Sequence, residues 1–331
     1  MKIVKMSKKH ITDVSDVLQA AFNDWSLKRR GIARFRKRKD ESLIPYIELE
    51  PNGCFVALEK NRVVGAIFTH VWGKLGWIGT FGIDPDFQAK GIGKKLMLKA
   101  IEYLDKEKSV TTLGLETMSG SSGNIGLYSK LGFRPAFQTI RLIKNIELSS
   151  KKEKKFEEFA RENNLEITYF SDEEQKDEVL QRCNWLASKL VNGLDYSPEI
   201  LLTNKYDFGE TILLKREGFI IGFALCRTFD KYKEVDDNKY LFVRILVLDT
   251  DIKDKTYLDY MCYACEKYGN KFDKNEIRIS INSSYWLAFD HFLHIGFNVR
   301  SSILRMIKFS DEIKSYDHYH EWLVNCATWT M

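Results

Sequence analysis

Ile83-Asp84-Pro85-Asp86-Phe87-Gln88-Ala89-Lys90-Gly91-Ile92-Gly93-Lys94-Lys95-Leu96 joins the end of one apolar run to the start of another with a different period. Before it, Gly76 to Ile83 spells a strand. Asp84-Pro85 ends that strand, because proline lacks a backbone donor and restricts the residue before it. After it, Ile92, Leu96, Met97, Ala100, Ile101 and Leu104 recur at the spacing of a helix facing a core, which predicts a helix over Gly91 to Lys106. A strand that turns through glycines straight into a helix aims unpaired N–H groups and the positive end of the helix dipole at one spot, where a pyrophosphate can sit. Gly91 and Gly93 let the backbone approach phosphates with no side chain in the way. An ordinary helix start containing glycine would read the same, so the flanking segments must decide.

Working outward, Ile11 to Asn23 reads as a helix, and Cys54–Glu59 with Val63–His70 as two strands of a hairpin closed at Lys60-Asn61-Arg62. Thr111–Thr117 is a further strand, Ser119–Gly123 a loop, Asn124–Leu131 a short helix and Phe137–Ile146 a closing strand, the pattern of an α/β domain. The lysine- and glutamate-rich stretch Ser149–Glu158 suits an exposed connector or surface helix and sets a boundary between residues 1–148 and 149–331. Beyond it the order begins again. Val63-Val64-Gly65-Ala66 is echoed by Ile220-Ile221-Gly222-Phe223, and Leu131-Gly132-Phe133 by Ile295-Gly296-Phe297, with a longer loop at Asp230–Asn238 absorbing the difference in spacing. A tandem duplication explains both echoes.

The 331 residues are 44% hydrophobic and 29% charged, the composition of a globular chain with room for two domains. No apolar run approaches the roughly 20 residues that cross a bilayer, and Met1-Lys2-Ile3-Val4-Lys5 leads into no signal-peptide core, so a cytoplasmic protein is expected. Six scattered cysteines are not a disulfide scaffold, and Cys262 and Cys265 read as buried small residues on a helix; no metal is expected. The net charge of +5 is modest for this length, so nucleic acid is not expected as a partner on that ground. The basic stretch Lys28 to Lys39 reads first as a solvated helix or loop; an RNA- or ribosome-associated substrate, or an acidic small molecule, is an alternative use for it.

The quoted segment resembles the Q/R-x-x-G-x-G/A pyrophosphate loop of the GCN5-related N-acetyltransferase (GNAT) superfamily, with Gln88, Gly91 and Gly93 at the matching positions. Asn124-Ile125-Gly126-Leu127-Tyr128-Ser129-Lys130-Leu131-Gly132-Phe133 is similar to the later motif of the same superfamily, in which an asparagine opens a helix that carries a tyrosine and ends in G-F. Two motifs in the right order are far more specific than either alone. The resemblance covers about the first 146 residues well and the remainder in outline. It implies an α/β (α+β) chain of two tandem GNAT folds, each a mixed, largely antiparallel sheet flanked by helices. It also implies transfer of an acetyl or acyl group from coenzyme A to an amine, small molecule or peptide, by direct attack in a ternary complex.

On that resemblance, acetyl-CoA would lie against Phe81, Gly82, Ile83, Gln88, Ala89, Lys90, Gly91, Ile92, Gly93, Lys94, Asn124 and Tyr128. A backbone N–H near Phe81 to Ile83 would hold the acyl carbonyl, and Tyr128 would give a proton to the departing thiolate. A tyrosine packed between helix and sheet, and an asparagine serving only as a helix cap, would equally explain Tyr128 and Asn124. No carboxylate stands in Gly79-Thr80-Phe81-Gly82, where many relatives place a base. Glu116 is the first candidate for that role, although a solvent-facing glutamate at a strand end reads alike; His70 and the carboxylate of Met331 are the others. The apolar tail Glu321 to Met331 should dock somewhere, against the second half or at the cleft of the first.

The second copy reads as degenerate. No glycine occurs between Gly222 and Gly269, the turn Asp249-Thr250-Asp251-Ile252-Lys253-Asp254-Lys255 is acidic where phosphates would sit, and Ala288 and Phe292 replace Asn124 and Tyr128. Such a half would be structural or would wall the acceptor pocket. A regulatory module that binds acyl-CoA without transferring the acyl group is the competing reading.

Overall fold

The computed structural model describes residues 1–228, 239–309 and 325–327. The first half runs β1 (Lys2–Lys5), α1 (Ile11–Arg30), α2 (Ile44–Leu49), β2 (Phe55–Glu59), β3 (Arg62–Trp72), β4 (Leu75–Ile83), α3 (Ile92–Glu102), β5 (Thr112–Thr117), α4 (Ser122–Lys130) and β6 (Arg134–Asn145). A linking helix α5 (Ser150–Glu162) follows, and then the same order returns: β7 (Leu165–Tyr169), α6 (Lys176–Leu190), α7 (Ser197–Lys205), β8 (Gly209–Arg216), β9 (Phe219–Arg227), β10 (Tyr240–Leu248), α8 (Thr256–Asn270), β11 (Glu276–Asn282), α9 (Trp286–His294) and β12 (Asn298–Phe309). A short strand β13 (Asn325–Ala327) closes the described chain. The loop expected at 230–238 and the rest of the tail, Met331 included, lie outside the described residues.

Equivalent positions bear out the duplication. A Cβ on Gly65 would fall 2.6 Å from Ile83 Cδ1, and one on Gly222 would fall 2.6 Å from Leu248 Cδ2, so each glycine admits the last residue of the neighbouring strand. Gly132 and Gly296 sit at φ +94° and +95°, conformations that side chains rarely adopt. Each lets the next residue close the preceding helix: Phe133 N donates to Tyr128 O at 3.1 Å, and Phe297 N to Phe292 O at 3.0 Å.

The two halves share a sheet. All described strands join one sheet in the order β1-β2-β3-β4-β5-β12-β6-β11-β10-β9-β8-β7, with β13 beside β10. Strand β12 of the second half lies between β5 and β6, and β6 of the first half lies between β12 and β11. Each half therefore contributes its last strand to the other, which leaves no open edge in the middle. A boundary near residue 148 divides the chain but not the sheet. Only β4 with β5 and β10 with β11 pair in parallel; the other pairings are antiparallel.

Local chemistry explains where elements end. Lys60 (φ 47°) and Asn61 (φ 68°) make the left-handed pair that suits a tight hairpin between β2 and β3. Helix α1 runs past Asn23, where sequence periodicity stops it, to Arg30; the Asp24–Lys28 pair at 2.8 Å supports the added turns and Gly31 N donates to Leu27 O at 3.0 Å. The predicted helix to Lys106 instead ends at Glu102 and continues as a wider turn over Tyr103–Glu107, with the Tyr103 hydroxyl donating to Glu50.

Helices α1 and α2 pack on Val56, Ala66 and Phe68, whereas α3 and α4 cover Phe55, Val64, Ile78, Leu113 and Leu115. The core of the second half draws in Trp72, Leu75 and Trp77 from the first. Cys262 and Cys265 are buried on α8 with Cys265 Sγ 3.7 Å from Cys226 Sγ. No described helix is long and apolar enough to cross a membrane.

Candidate active site

Strands β4 and β5 pair only from Leu75↔Thr112 to Ile78↔Leu115. Beyond Ile78, β4 continues to Ile83 with β3 on one side (Ile67↔Phe81, Ala66↔Gly82, Gly65↔Ile83) and no described strand paired on the other. The two strands thus open into a V whose exposed backbone needs a partner. A cavity of about 480 Å³ lies at this opening.

Among the residues expected to meet the coenzyme, Phe81, Gly82, Ile83, Gln88, Ala89, Gly91, Ile92, Gly93, Lys94 and Asn124 line the cavity. Lys90 does not; its ammonium lies 4.7 Å from the Phe87 ring centroid and donates to Asp86 O at 2.7 Å. Gly91 has φ +76°, and a Cβ there would meet nothing within 4 Å, so the loop stands clear of the protein at this point. The N–H groups of Ala89, Lys90 and Gly91 engage no backbone acceptor among the described residues, and α3 starts at Ile92 with its own first donors unpaired. Together they form a cradle for an anion at the positive end of α3. Gln88, besides lining the cavity, ties the loop to the end of β4, its Nε2 donating to Ile83 O at 3.2 Å.

The opposite wall went unread in the sequence. Ala21, Phe22, Asp24, Trp25, Lys28 and Arg29 of α1 face the loop across the cavity. The truncated helix assignment hid them, since the last two turns of α1 carry most of this wall. Lys28 and Arg29 begin the basic stretch, so its first two cations point at the candidate coenzyme site.

Tyr128 is buried one turn beyond Asn124 and next to Leu127, and does not itself line the cavity. Its hydroxyl makes no hydrogen bond to a described residue, and burial raises its pKa, so the proton is retained at neutral pH. Glu116 is neither solvent-facing nor at the cavity. Its side chain is wholly enclosed, with Oε1 accepting from Thr139 Oγ1 at 2.5 Å and Arg305 Nη2 at 2.9 Å and Oε2 left without a partner. The missing signal was Arg305, which the strand exchange brings directly opposite Glu116. His70 is also enclosed; its Nε2 lies 2.6 Å from Gly79 O, and burial drives its pKa down to about 4.

The second half has the same V, and it is filled. Strands β10 and β11 pair from Tyr240↔Glu276 to Val243↔Ile279 and then part. Just beyond, β13 pairs antiparallel with Ile245–Val247 of β10, on the side away from β9. The described part of the tail therefore docks on the second half. The turn before α8 is acidic and already occupied: Lys189 Nζ reaches Asp249 at 2.5 Å and Asp251 at 2.8 Å. Ala288 and Phe292 are core residues, with Phe292 packed edge-on against Phe297.

Residues 17–133 match the family model described as acetyltransferase (GNAT) family. A mycothiol acetyltransferase of Nocardia farcinica is 32% identical over 94 residues, 26% of this chain and 31% of that protein. A [ribosomal protein bS18]-alanine N-acetyltransferase of Escherichia coli K12 is 42% identical over 59 residues, 18% of this chain and 38% of that protein. The chain thus aligns with about a third of the length of these curated relatives. A solved tandem GNAT protein from the clavulanic acid biosynthesis pathway superposes with a TM-score of 0.58 over 93% of this chain and 98% of that one; at 11% identity this likeness concerns the fold. The two motifs and the open V all fall within residues 17–133, the segment that is similar to the acetyltransferase (GNAT) family.

Proposed function

We propose that the protein is an N-acetyltransferase that moves an acetyl group from acetyl-CoA to an amine by direct attack in a ternary complex, with a single coenzyme site in residues 1–148. The observation that carries this reading is the contrast between the two V-shaped openings. The one between β4 and β5 is open, lined by the glycine loop and continuous with a cavity; the one between β10 and β11 holds β13 and has an acidic turn at its mouth. The coenzyme supplies the activated acyl group, and the chain has to bind it, hold its carbonyl and protonate its leaving group.

The N–H groups around Gly91 and the start of α3 hold the pyrophosphate, and the free side of β4 from Gly79 to Ile83 offers main-chain partners to the pantetheine arm and the acyl carbonyl. Tyr128 is the general acid, a hydroxyl with a raised pKa and no competing partner among the described residues. Glu116, enclosed with Arg305 away from the cavity, is left out of this scheme as the base. The second half completes the sheet beside β5 through β12. The curated relatives are named for different acceptors, mycothiol and a ribosomal-protein alanine, so the acceptor is to be found by screening.

Release of free coenzyme thiol from acetyl-CoA, followed across a panel of small and peptide amines, tests the reading. Thiol release above the hydrolysis background with at least one amine is expected. Tight coenzyme binding without amine-dependent release across such a panel would instead favour a regulatory acyl-CoA-binding module.

A further inference from the structure

A ring of buried side chains closes between the two halves directly beneath the opening of β4. In the pairing of β3 with β4, Ile67 faces Phe81 and Thr69 faces Ile78, so the single residue Phe68 faces both Gly79 and Thr80. This bulge begins at the residue after β4 parts from β5. Bulges of this kind re-aim the strand and gather next to active sites. The Gly79 carbonyl and the Thr80 N–H belong to one peptide plane, so whatever holds that oxygen fixes the plane from which Phe81, Gly82 and Ile83 depart.

The oxygen is held by His70 at 2.6 Å from Nε2, and because a carbonyl only accepts, Nε2 must carry the proton. The ring has little freedom. It stacks on Trp72 with an interplanar angle of 8° and meets Tyr46 edge-on at 88°, each with centroids 5.5 Å apart. Trp72 Nε1 donates to Glu199 Oε1 at 3.3 Å. Glu199 in turn receives Arg244 Nε at 2.9 Å and Arg227 Nη2 at 3.2 Å, and Arg227 Nη1 donates to the Tyr46 hydroxyl at 3.0 Å. Tyr46, His70 and Trp72 come from the first half, Glu199, Arg227 and Arg244 from the second.

Apolar residues would fill this space with less desolvation, so the network's advantage lies in fixing one geometry. We propose that His70 is a positioning residue for the acyl carbonyl, holding the β4 bulge in the shape that presents its N–H groups, and that the second half of the chain contributes to the site by locking the His70 ring through Trp72 and Glu199. This gives the degenerate half a part in acyl recognition without a ligand of its own. It rests on the coenzyme reading above.

The test uses the full chain and two probes, acetyl-CoA and free CoA, which differ by the acyl group. His70→Gln keeps an amide donor at about the reach of Nε2, His70→Met keeps the length without a donor, and His70→Asn keeps polarity with a donor too short to reach Gly79. The expected result is that H70M and H70N lose roughly 3–10-fold in affinity for acetyl-CoA with CoA affinity unchanged, the scale of one hydrogen bond, while H70Q stays within about 2-fold of the unsubstituted chain. Should H70M not fold, the H70N and H70Q pair makes the same comparison. Equal affinities for acetyl-CoA in all variants, or parallel losses for both probes, would overturn the inference while leaving the coenzyme site intact. An unsubstituted chain that binds neither probe would overturn the coenzyme reading and this inference with it.

Discussion

Tyr128 and Gly93 carry residue-scale tests that separate chemistry from binding. The Tyr128 hydroxyl has no hydrogen-bond partner among the described residues and its pKa is raised by burial, so Tyr128→Phe should lower kcat by about 100-fold and leave acetyl-CoA affinity within about 2-fold. Because the raised pKa lies above the ordinary value for tyrosine, its ionisation should put no falling limb in the kcat profile below about pH 10. Turnover unchanged in Y128F across pH 6–9 would remove it from the mechanism. A Cβ on Gly93 would already stand 3.1 Å from Phe81 Cζ. Gly93→Leu should therefore press on the strand that receives the acyl group and abolish detectable coenzyme binding, with Tm within a few degrees of the parent.

At the scale of elements, the glycine loop before α3, the α4 helix and the repeat were legible because local sequence dictates them: a proline that stops a strand, glycines at a helix start, a G-F pair after a short helix. The end of α1, the enclosure of Glu116 and the partner of His70 were not. The last two depend on contacts between residues far apart in sequence, Arg305 opposite Glu116 and Gly79 opposite His70, whereas α1 is prolonged by the local Asp24–Lys28 pair and stopped at Gly31, which apolar periodicity does not register. The same network makes a pH prediction. His70 has a folded pKa of about 4 against an ordinary 6.5, so the unfolded chain binds more protons between those values. The stability it lends is complete above pH 6.5 and is lost as pH falls toward 4, on the order of 3 kcal/mol. Glu199, held at about 2 by Arg244 and Arg227 against its burial, adds a second loss between pH 4.5 and 2. Thermal melts should show Tm falling from pH 6.5 to 4, with the first part of that fall absent in H70Q. Glu199→Ala, which strands two guanidinium groups, should cost about 3–5 kcal/mol in urea unfolding.

For the whole molecule, sequence correctly indicated two halves but not the exchange of β6 and β12, since an exchanged strand has the same pattern as one that folds back on its own sheet. Exchange makes the halves interdependent, and neither is expected to fold alone. The filling of the second V by β13 was equally invisible, because nothing in Asn325-Cys326-Ala327 specifies which strand it pairs with. A chain ended before Asn325 exposes the side of β10 that β13 covers and should melt at a lower temperature. It should gain no second coenzyme site, because Lys189, Asp249 and Asp251 still occupy the mouth.

Calorimetric titration of the full chain with acetyl-CoA, beside a variant with both Gly91 and Gly93 replaced by leucine, tests the central claim most directly. One molecule bound per chain, and none in the variant, is the predicted result. Two molecules per chain, or one that persists in the variant, would contradict a single working site at the β4–α3 loop.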